Sequence, residues 1–237
     1  MSLDEYRKKR DFTVTPEPAG ESAASKTKSS NLIYVVQKHR ATQLHYDLRL
    51  EWNGALLSWA VPKGPSLDPS VKRLAMRVED HPLEYAHFEG VIPADEYGGG
   101  TVMVWDTGTW EPEAADVDAA LRNGDLKFTL YGKKLHGAWV LVRTRGFGSS
   151  NDRSAWLLIK HRDRYASGRD ITLDEPTSAL SHRLLADIAR ENGGNTEQAA
   201  TGDPRPKRKA RGPSRKRALP GKVMNPKRTT PVKKARQ

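Results

Sequence analysis

From Leu32 onward the chain alternates short apolar runs with turn residues, at 33–36, 45–50, 56–61, 74–78, 101–105, 126–130, 138–142 and 156–159. Runs of this length, rich in β-branched and aromatic side chains, predict eight short strands arranged as a sandwich or barrel. Asn53-Gly54 between two of them predicts a type I′ hairpin, because both central positions of that turn need positive φ. Residues 116–123, opening on Asp116 and closing on Gly124, read as a short helix, and 181–190, ahead of Asn192-Gly-Gly194, read as a second. Residues 1–31 are polar, with Pro16, Pro18 and a Ser/Ala/Lys-rich run, and predict no regular element. The chain thus divides into an N-terminal segment (1–31), a mainly β domain (32–190) and a basic tail (191–237). The tail is expected to be disordered, because Pro204 to Arg236 lacks apolar periodicity and cannot offset its ordering entropy by burial.

Charge sharpens this division. The formal net charge is +11, but Asp203 to Gln237 hold fourteen Lys/Arg against one acid, whereas the first 202 residues hold 26 against 28. A near-neutral body carrying a cationic arm points to contact with phosphate backbones through counterion release. The absence of cysteine excludes disulfides, thiol catalysis and thiolate metal sites, so any metal must be held by His and carboxylate. The longest apolar runs, Ala55 to Leu57 and Trp156 to Ile159, fall far short of the roughly 18 residues that cross a bilayer. The charged start lacks a signal-peptide core. A soluble cytoplasmic protein is expected, and a monomer, because a closed barrel has no edges to cover. Neither a Gly-x4-Gly-Lys-Ser/Thr loop nor Lys-x-Asp-Gly is present, so ATP-driven chemistry finds no support.

In a strand over 45–52, His45, Asp47, Arg49 and Glu51 share one side and Tyr46, Leu48, Leu50 and Trp52 the other. With His39 close upstream, two imidazoles and a carboxylate could converge on a cation, a set that suits Mn, Zn or non-haem Fe. The plainer alternative is the solvated side of an amphipathic strand. Lys63, Lys72, Arg73, Glu79, His81, Tyr85 and His87 follow within about forty residues, in a body that is not itself basic. Cations beside a metal fit phosphate, since a planar Arg fork, a Lys point charge and a divalent ion together offset a phosphoryl-transfer transition state. His81 could serve as general acid or base. Lys72 and His87 read as surface residues, and Gly98-Gly-Gly100 as a hairpin turn rather than a phosphate nest. His136, His161 and His182 lack a carboxylate at useful spacing and read as structural or surface residues.

These residues carry a resemblance. Val36-Gln-Lys-His39 through His45-Tyr-Asp47-Leu-Arg49, Ser58-Trp-Ala-Val-Pro-Lys63-Gly, Arg73-Leu-Ala, Val78-Glu79-Asp-His81-Pro-Leu-Glu-Tyr85 and Phe88-Glu-Gly-Val-Ile-Pro resemble the 3′-phosphoesterase domain of bacterial DNA ligase D. The match continues through Tyr97-Gly to Trp105-Asp, Lys134 to Arg143 and Trp156 to Asp163, and reaches back to Tyr6–Phe12 and Thr15–Pro18. It implies a compact antiparallel β-barrel with short flanking helices. It also implies a Mn²⁺-dependent hydrolase, with other divalent metals as substitutes. Such an enzyme removes a 3′-terminal ribonucleoside and then the 3′-phosphate at DNA breaks, leaving a 3′-hydroxyl for non-homologous end joining. By motif, His39, His45 and Asp47 would hold the metal. Arg49 and His81 would bind the scissile phosphate with Ser58, Lys63, Arg73 and Tyr85 around it, and Glu79 would support the site. Arg10, Asp11 and Glu17 match residues used in the reaction, so the part before about Pro18 is expected to fold over the site as a strap. DNA 3′ ends are the implied partner, with a DNA ligase and Ku in trans, since this chain shows no ligase or polymerase module and resembles stand-alone members of the family; a bacterial or archaeal, nucleoid-associated setting follows. The rival expectations are a non-catalytic DNA-end adapter and a phosphodiesterase acting on RNA ends or small nucleotides.

Overall fold

The computed structural model describes residues 3–20, 31–144 and 154–204. β1 (Leu32–Arg40) and β2 (Leu44–Trp52) pair antiparallel, and β2 continues into β3 (Ala55–Val61). The turn between β2 and β3 is the predicted one: Asn53 and Gly54 take φ of 51° and 80°, and Trp52 faces Ala55 across it. The other predicted strands form as β4 (Arg73–His81), β6 (Gly100–Pro112), β7 (Asp125–Gly132), β8 (His136–Arg143) and β9 (Ala155–Lys160). A three-residue strand, β5 (Gly90–Ile92), is too short to stand out in the sequence. The order β1-β2-β3-β4-β9-β8-β7-β6 closes where β6 pairs back onto β1, and β5 lies against the start of β6 outside this ring. The result is an eight-stranded antiparallel barrel.

Alternation along β2 resolves as the sequence implied. Tyr46, Leu48 and Leu50 point into the barrel, where Trp59, Trp105, Trp110 and Trp139 are fully buried. Each such side chain contributes about 1.5–3 kcal/mol by leaving water. Two bulges then re-aim residues across the barrel wall. On β6, Val36 faces Asp106 while Gln37 faces Val104, which leaves Trp105 as the extra residue. On β4, Ser58 faces Val78 while Leu56 faces His81, so β4 carries one residue more than β3 over that span.

Five short helices flank the barrel among the described residues: α1 (Asp4–Lys8), α2 (Val117–Asn123), α3 (Ile171–Asp174), α4 (Leu185–Glu191) and α5 (Thr196–Ala200). The α2 signals act as read: Asp116 accepts from the Ala119 amide at 2.8 Å, and Gly124 closes the helix at φ 76°. The helix expected from 181 starts at 185, because Ser178 Oγ accepts from the amides of Leu180 and Ser181 and holds that stretch as a turn. The disorder expected from 191 does not hold through 204. α5 packs on α4, and Asp203 accepts from the Leu185 and Ala186 amides at 3.1 and 3.0 Å, capping α4 from a distance. Residues 205–237, most of the expected basic tail, lie outside the described residues, as does the Ser/Ala/Lys-rich run at 21–30. In the segment where no element was expected, residues 3–20 form α1 and a strap lying on the outside of the barrel. There Tyr6 and Phe12 join Val35, Leu56, Tyr85 and Val104 in a second, smaller core. No helix among the described residues is long and apolar enough to cross a membrane.

Candidate active site

The outer face of β1, β2, β3 and β4 carries the polar side chains that alternation excludes from the core. Across β1 and β2, His39 stands opposite His45 and Gln37 opposite Asp47, while Arg49 stands opposite Ser58 of β3. This register converts sequence spacing into a cluster. Donor atoms of His39, His45 and Asp47 all lie within 4.8 Å of one another, with His39 Nδ1 3.9 Å and His45 Nε2 3.7 Å from the Asp47 carboxylate. The hydrogen bonding leaves lone pairs for a cation. His45 donates Nδ1–H to the Gln43 carbonyl at 3.1 Å, which leaves Nε2 with a free lone pair. Burial, opposed by Asp47, pushes the His39 pKa down to about 4, so its ring is neutral at ordinary pH. Two imidazoles and one carboxylate form a donor set for a divalent transition metal.

Arg49 adjoins this cluster. Its Nε donates to Gln37 Oε1 at 2.7 Å, Nη1 to Ser58 Oγ at 2.9 Å and Nη2 to Asp47 Oδ2 at 3.2 Å, and the guanidinium lies 4.8 Å from the centre of the Tyr85 ring. Three of its five N–H groups are committed, so the fork is fixed while two donors remain for an oxyanion. Gln37 is held in turn by donating to the carbonyls of Tyr85 and Phe88. Its functional position was missed in the sequence reading; the available signal was a polar residue two before His39 on the same strand face.

His81 reaches this face only because of the β4 bulge. Ala75 lies in the barrel core, and unbroken alternation would send residues 79 and 81 inward with it; the extra residue turns them out. Its Nδ1–H donates to the Glu79 carbonyl at 2.9 Å, so Nε2 carries the lone pair, 3.4 Å from Arg10 Nη2. Burial, joined by the charges of Arg49 and Arg10, pulls its pKa well below the usual imidazole value. The resting ring is therefore neutral.

The strap closes one side. Arg10, its side chain 5% exposed, binds Glu17 Oε1 at 2.9 Å and Glu79 Oε1 at 3.4 Å, while Lys9 Nζ reaches Glu79 Oε2 at 3.1 Å. Glu17 also accepts from Thr15 Oγ1 at 2.9 Å and from the Tyr85 hydroxyl at 2.8 Å. Burial opposes the Arg10 charge, but Glu17 more than compensates and its pKa is raised; Glu79, similarly buried, is held below the usual carboxylate value by the bonds it accepts. The Tyr6 hydroxyl donates to the Pro18 carbonyl at 2.7 Å and pins the strap on itself.

These elements enclose a cavity of about 340 Å³ lined by Arg10, His39, His45, Asp47, Arg49, Glu79, His81 and Tyr85, with Tyr97 at its mouth. Glu17 and Ser58 stand behind it and orient the lining. Three further predicted residues stand apart from it. Asp11 is exposed, and its carboxylate binds the amide and hydroxyl of Thr13 in a local turn. Lys63 is exposed on a different groove, with Lys38, Thr172 and Asp203. Arg73 precedes the β4 bulge and stays on the face of Ala75, away from Glu79 and His81.

Comparison with known proteins agrees with this arrangement. Residues 37–143 match the model of the DNA Ligase D 3′-phosphoesterase domain. The chain is 52% identical over 186 residues to the multifunctional non-homologous end joining protein LigD of Pseudomonas aeruginosa, covering 77% of this chain and 22% of that protein. It is 46% identical over 144 residues to the Mycobacterium tuberculosis LigD, covering 61% and 18%, and 44% identical over 167 residues to that of Mycolicibacterium smegmatis, covering 68% and 21%. The chain thus spans about a fifth of the length of the relatives it matches. With the barrel, the strap and the clustered motif residues on one face, the chain belongs to the DNA ligase D 3′-phosphoesterase domain family.

Proposed function

We propose that this domain trims the 3′ ends of DNA strands, removing a terminal ribonucleoside to leave a 3′-phosphate and then removing that phosphate to leave a 3′-hydroxyl. The observation that carries the reading is the contact between Arg49 Nη2 and Asp47 Oδ2 at 3.2 Å, which sets a fixed guanidinium beside the His39/His45/Asp47 donor set. A divalent cation such as Mn²⁺, held by those three residues, would supply Lewis-acid polarisation of a phosphate oxygen. The two uncommitted N–H groups of Arg49 bind other phosphate oxygens and orient the group. His81 Nε2, deprotonated at rest, takes the proton of the attacking oxygen, and the resulting Nε2–H returns a proton to the leaving oxygen. Arg10, bound to Glu17 and Glu79, keeps a second positive charge against His81 Nε2 and walls that side from water. Asp11, Lys63 and Arg73, set apart from the cavity, do not enter this scheme.

The relatives are named for non-homologous end joining, and break ends in that pathway, processed alongside a ligase and Ku, are the context this reading assigns. The test is a labelled primer–template ending in one 3′-ribonucleotide, incubated with Mn²⁺ or EDTA and resolved on a gel. Stepwise appearance of 3′-phosphate and then 3′-hydroxyl ends, only with metal, is expected. Undiminished binding without conversion would refute the reading in favour of a DNA-end adapter, and faster conversion of an all-RNA primer would move the substrate to RNA ends.

A further inference from the structure

Tyr97 is 49% exposed at the mouth of the cavity, on the turn between β5 and β6. That turn is clamped. Glu96 N donates to the Pro93 carbonyl and Gly99 N to the Glu96 carbonyl at 3.1 and 2.9 Å, and Gly98 turns the chain at φ 78°. A Cβ on Gly100 would stand 2.3 Å from the Arg40 carbonyl oxygen, so the turn presses directly on the β1–β2 hairpin that carries the metal-type cluster. From the strap side, Lys9 Nζ and Arg10 Cζ approach the ring centre to 4.9 and 5.7 Å. The other aromatic ring of the lining, Tyr85, is buried beneath the Arg49 guanidinium and unavailable to a ligand. The cations of the cavity, Arg10 and Arg49, suit phosphate, and Tyr97 is the exposed aromatic ring of the same lining.

We propose that Tyr97 is the stacking platform for the base of the 3′-terminal nucleoside, and so favours ends that carry a nucleoside over ends that carry phosphate alone. This rests on the trimming reading above. Stacking tolerates every base, because each presents a π face, and so suits an enzyme that meets arbitrary ends.

The experiment compares the full chain with Y97A, Y97F and Y97W on one primer–template bearing either a 3′-ribonucleoside or a 3′-phosphate. Y97A should lose about tenfold in kcat/KM on the nucleoside end, the order expected for one base stack, and several-fold less on the phosphate end, while Y97F and Y97W retain the preference. A second readout needs no turnover: 2-aminopurine as the terminal base, in EDTA, should be quenched on binding by wild type and Y97F but not by Y97A. Equal losses on both ends, a Y97F as impaired as Y97A, or unaltered quenching in Y97A would overturn the proposal. A wild-type protein that quenches the terminal base yet converts neither end would support stacking and overturn the trimming reading, so the two fail separately.

Discussion

Replacing Arg10 by Ala tests whether the strap is held by buried charge. The substitution strips a guanidinium, its side chain 5% exposed, from Glu17 and Glu79, whose side chains are 0% and 4% exposed. Breaking a buried ion pair by removing one partner costs about 3–5 kcal/mol. The low end applies, because Glu17 keeps its bonds from Thr15 and Tyr85 and Glu79 keeps Lys9. Loss of the cation that lies 3.9 Å from the Tyr6 ring centre adds about 1 kcal/mol. A total near 4 kcal/mol at pH 7 corresponds to a drop in Tm of roughly 8–16 °C for a domain of this size. The assay is urea and thermal unfolding of wild type, R10A and R10A/E17Q in EDTA. Gln at 17 carries no charge to leave unpaired, so the double variant should recover at least about 1 kcal/mol over R10A. The pH dependence has a defined sign. In the wild type Glu79 is held below its ordinary 4.5, so its contribution is present above that pH and is lost as pH falls through the depressed value. In R10A Glu79 loses the Arg10 part of that hold and protonates more readily, so the stability gap should narrow below about pH 4.5. An R10A cost under about 1 kcal/mol, or an E17Q that adds its own cost to R10A, would refute the argument.

Other outcomes follow from the same geometry. H39A and D47A should each weaken Mn²⁺ binding at least about tenfold by calorimetry and abolish both trimming steps, and a fully active variant with normal metal content would remove these residues from the ligand set. In metal-free protein, His39 with a pKa near 4 binds its proton far less readily than the unfolded chain, whose value is 6.5, so stability should fall from pH 7 towards pH 4 by about 3 kcal/mol from this residue alone. H39N should flatten that limb. G100A, which sets a Cβ against the Arg40 carbonyl at a φ of 148°, should cost at least about 1 kcal/mol in urea unfolding and lower metal affinity by displacing the β1–β2 hairpin. Deleting residues 205–237 removes fourteen cations and should weaken DNA binding and flatten its salt dependence; the cut belongs after 204, because Asp203 caps α4.

The legible part of this protein is local. Period-two alternation over 45–52 separated Leu48 and Leu50, which entered the core, from Asp47 and Arg49, which did not; Asn53-Gly54 specified its turn, and Asp116 with Gly124 bounded α2. Each of these is set by side-chain parity or by a residue's own φ preference, both of which survive transcription into a string of letters. Parity does not carry through β4, where the backbone breaks it. One extra residue in β4 carried Glu79 and His81 through the barrel wall and left Arg73 behind, and a bulge depends on the partner strand that the residue count must match. The strap was foreseen from resemblance and not from composition, because its order comes from Tyr6 in a satellite core and Arg10 between two carboxylates, one of them 69 residues away. Likewise α4 takes its cap from Asp203, and Arg49 takes its aim from Gln37. The sequence by itself determined the strands, their turns and the kinds of donor available. Which donors share a cavity was decided by strand register, the β4 bulge and closure of the barrel, since contacts between distant residues exist only once the chain has closed on itself.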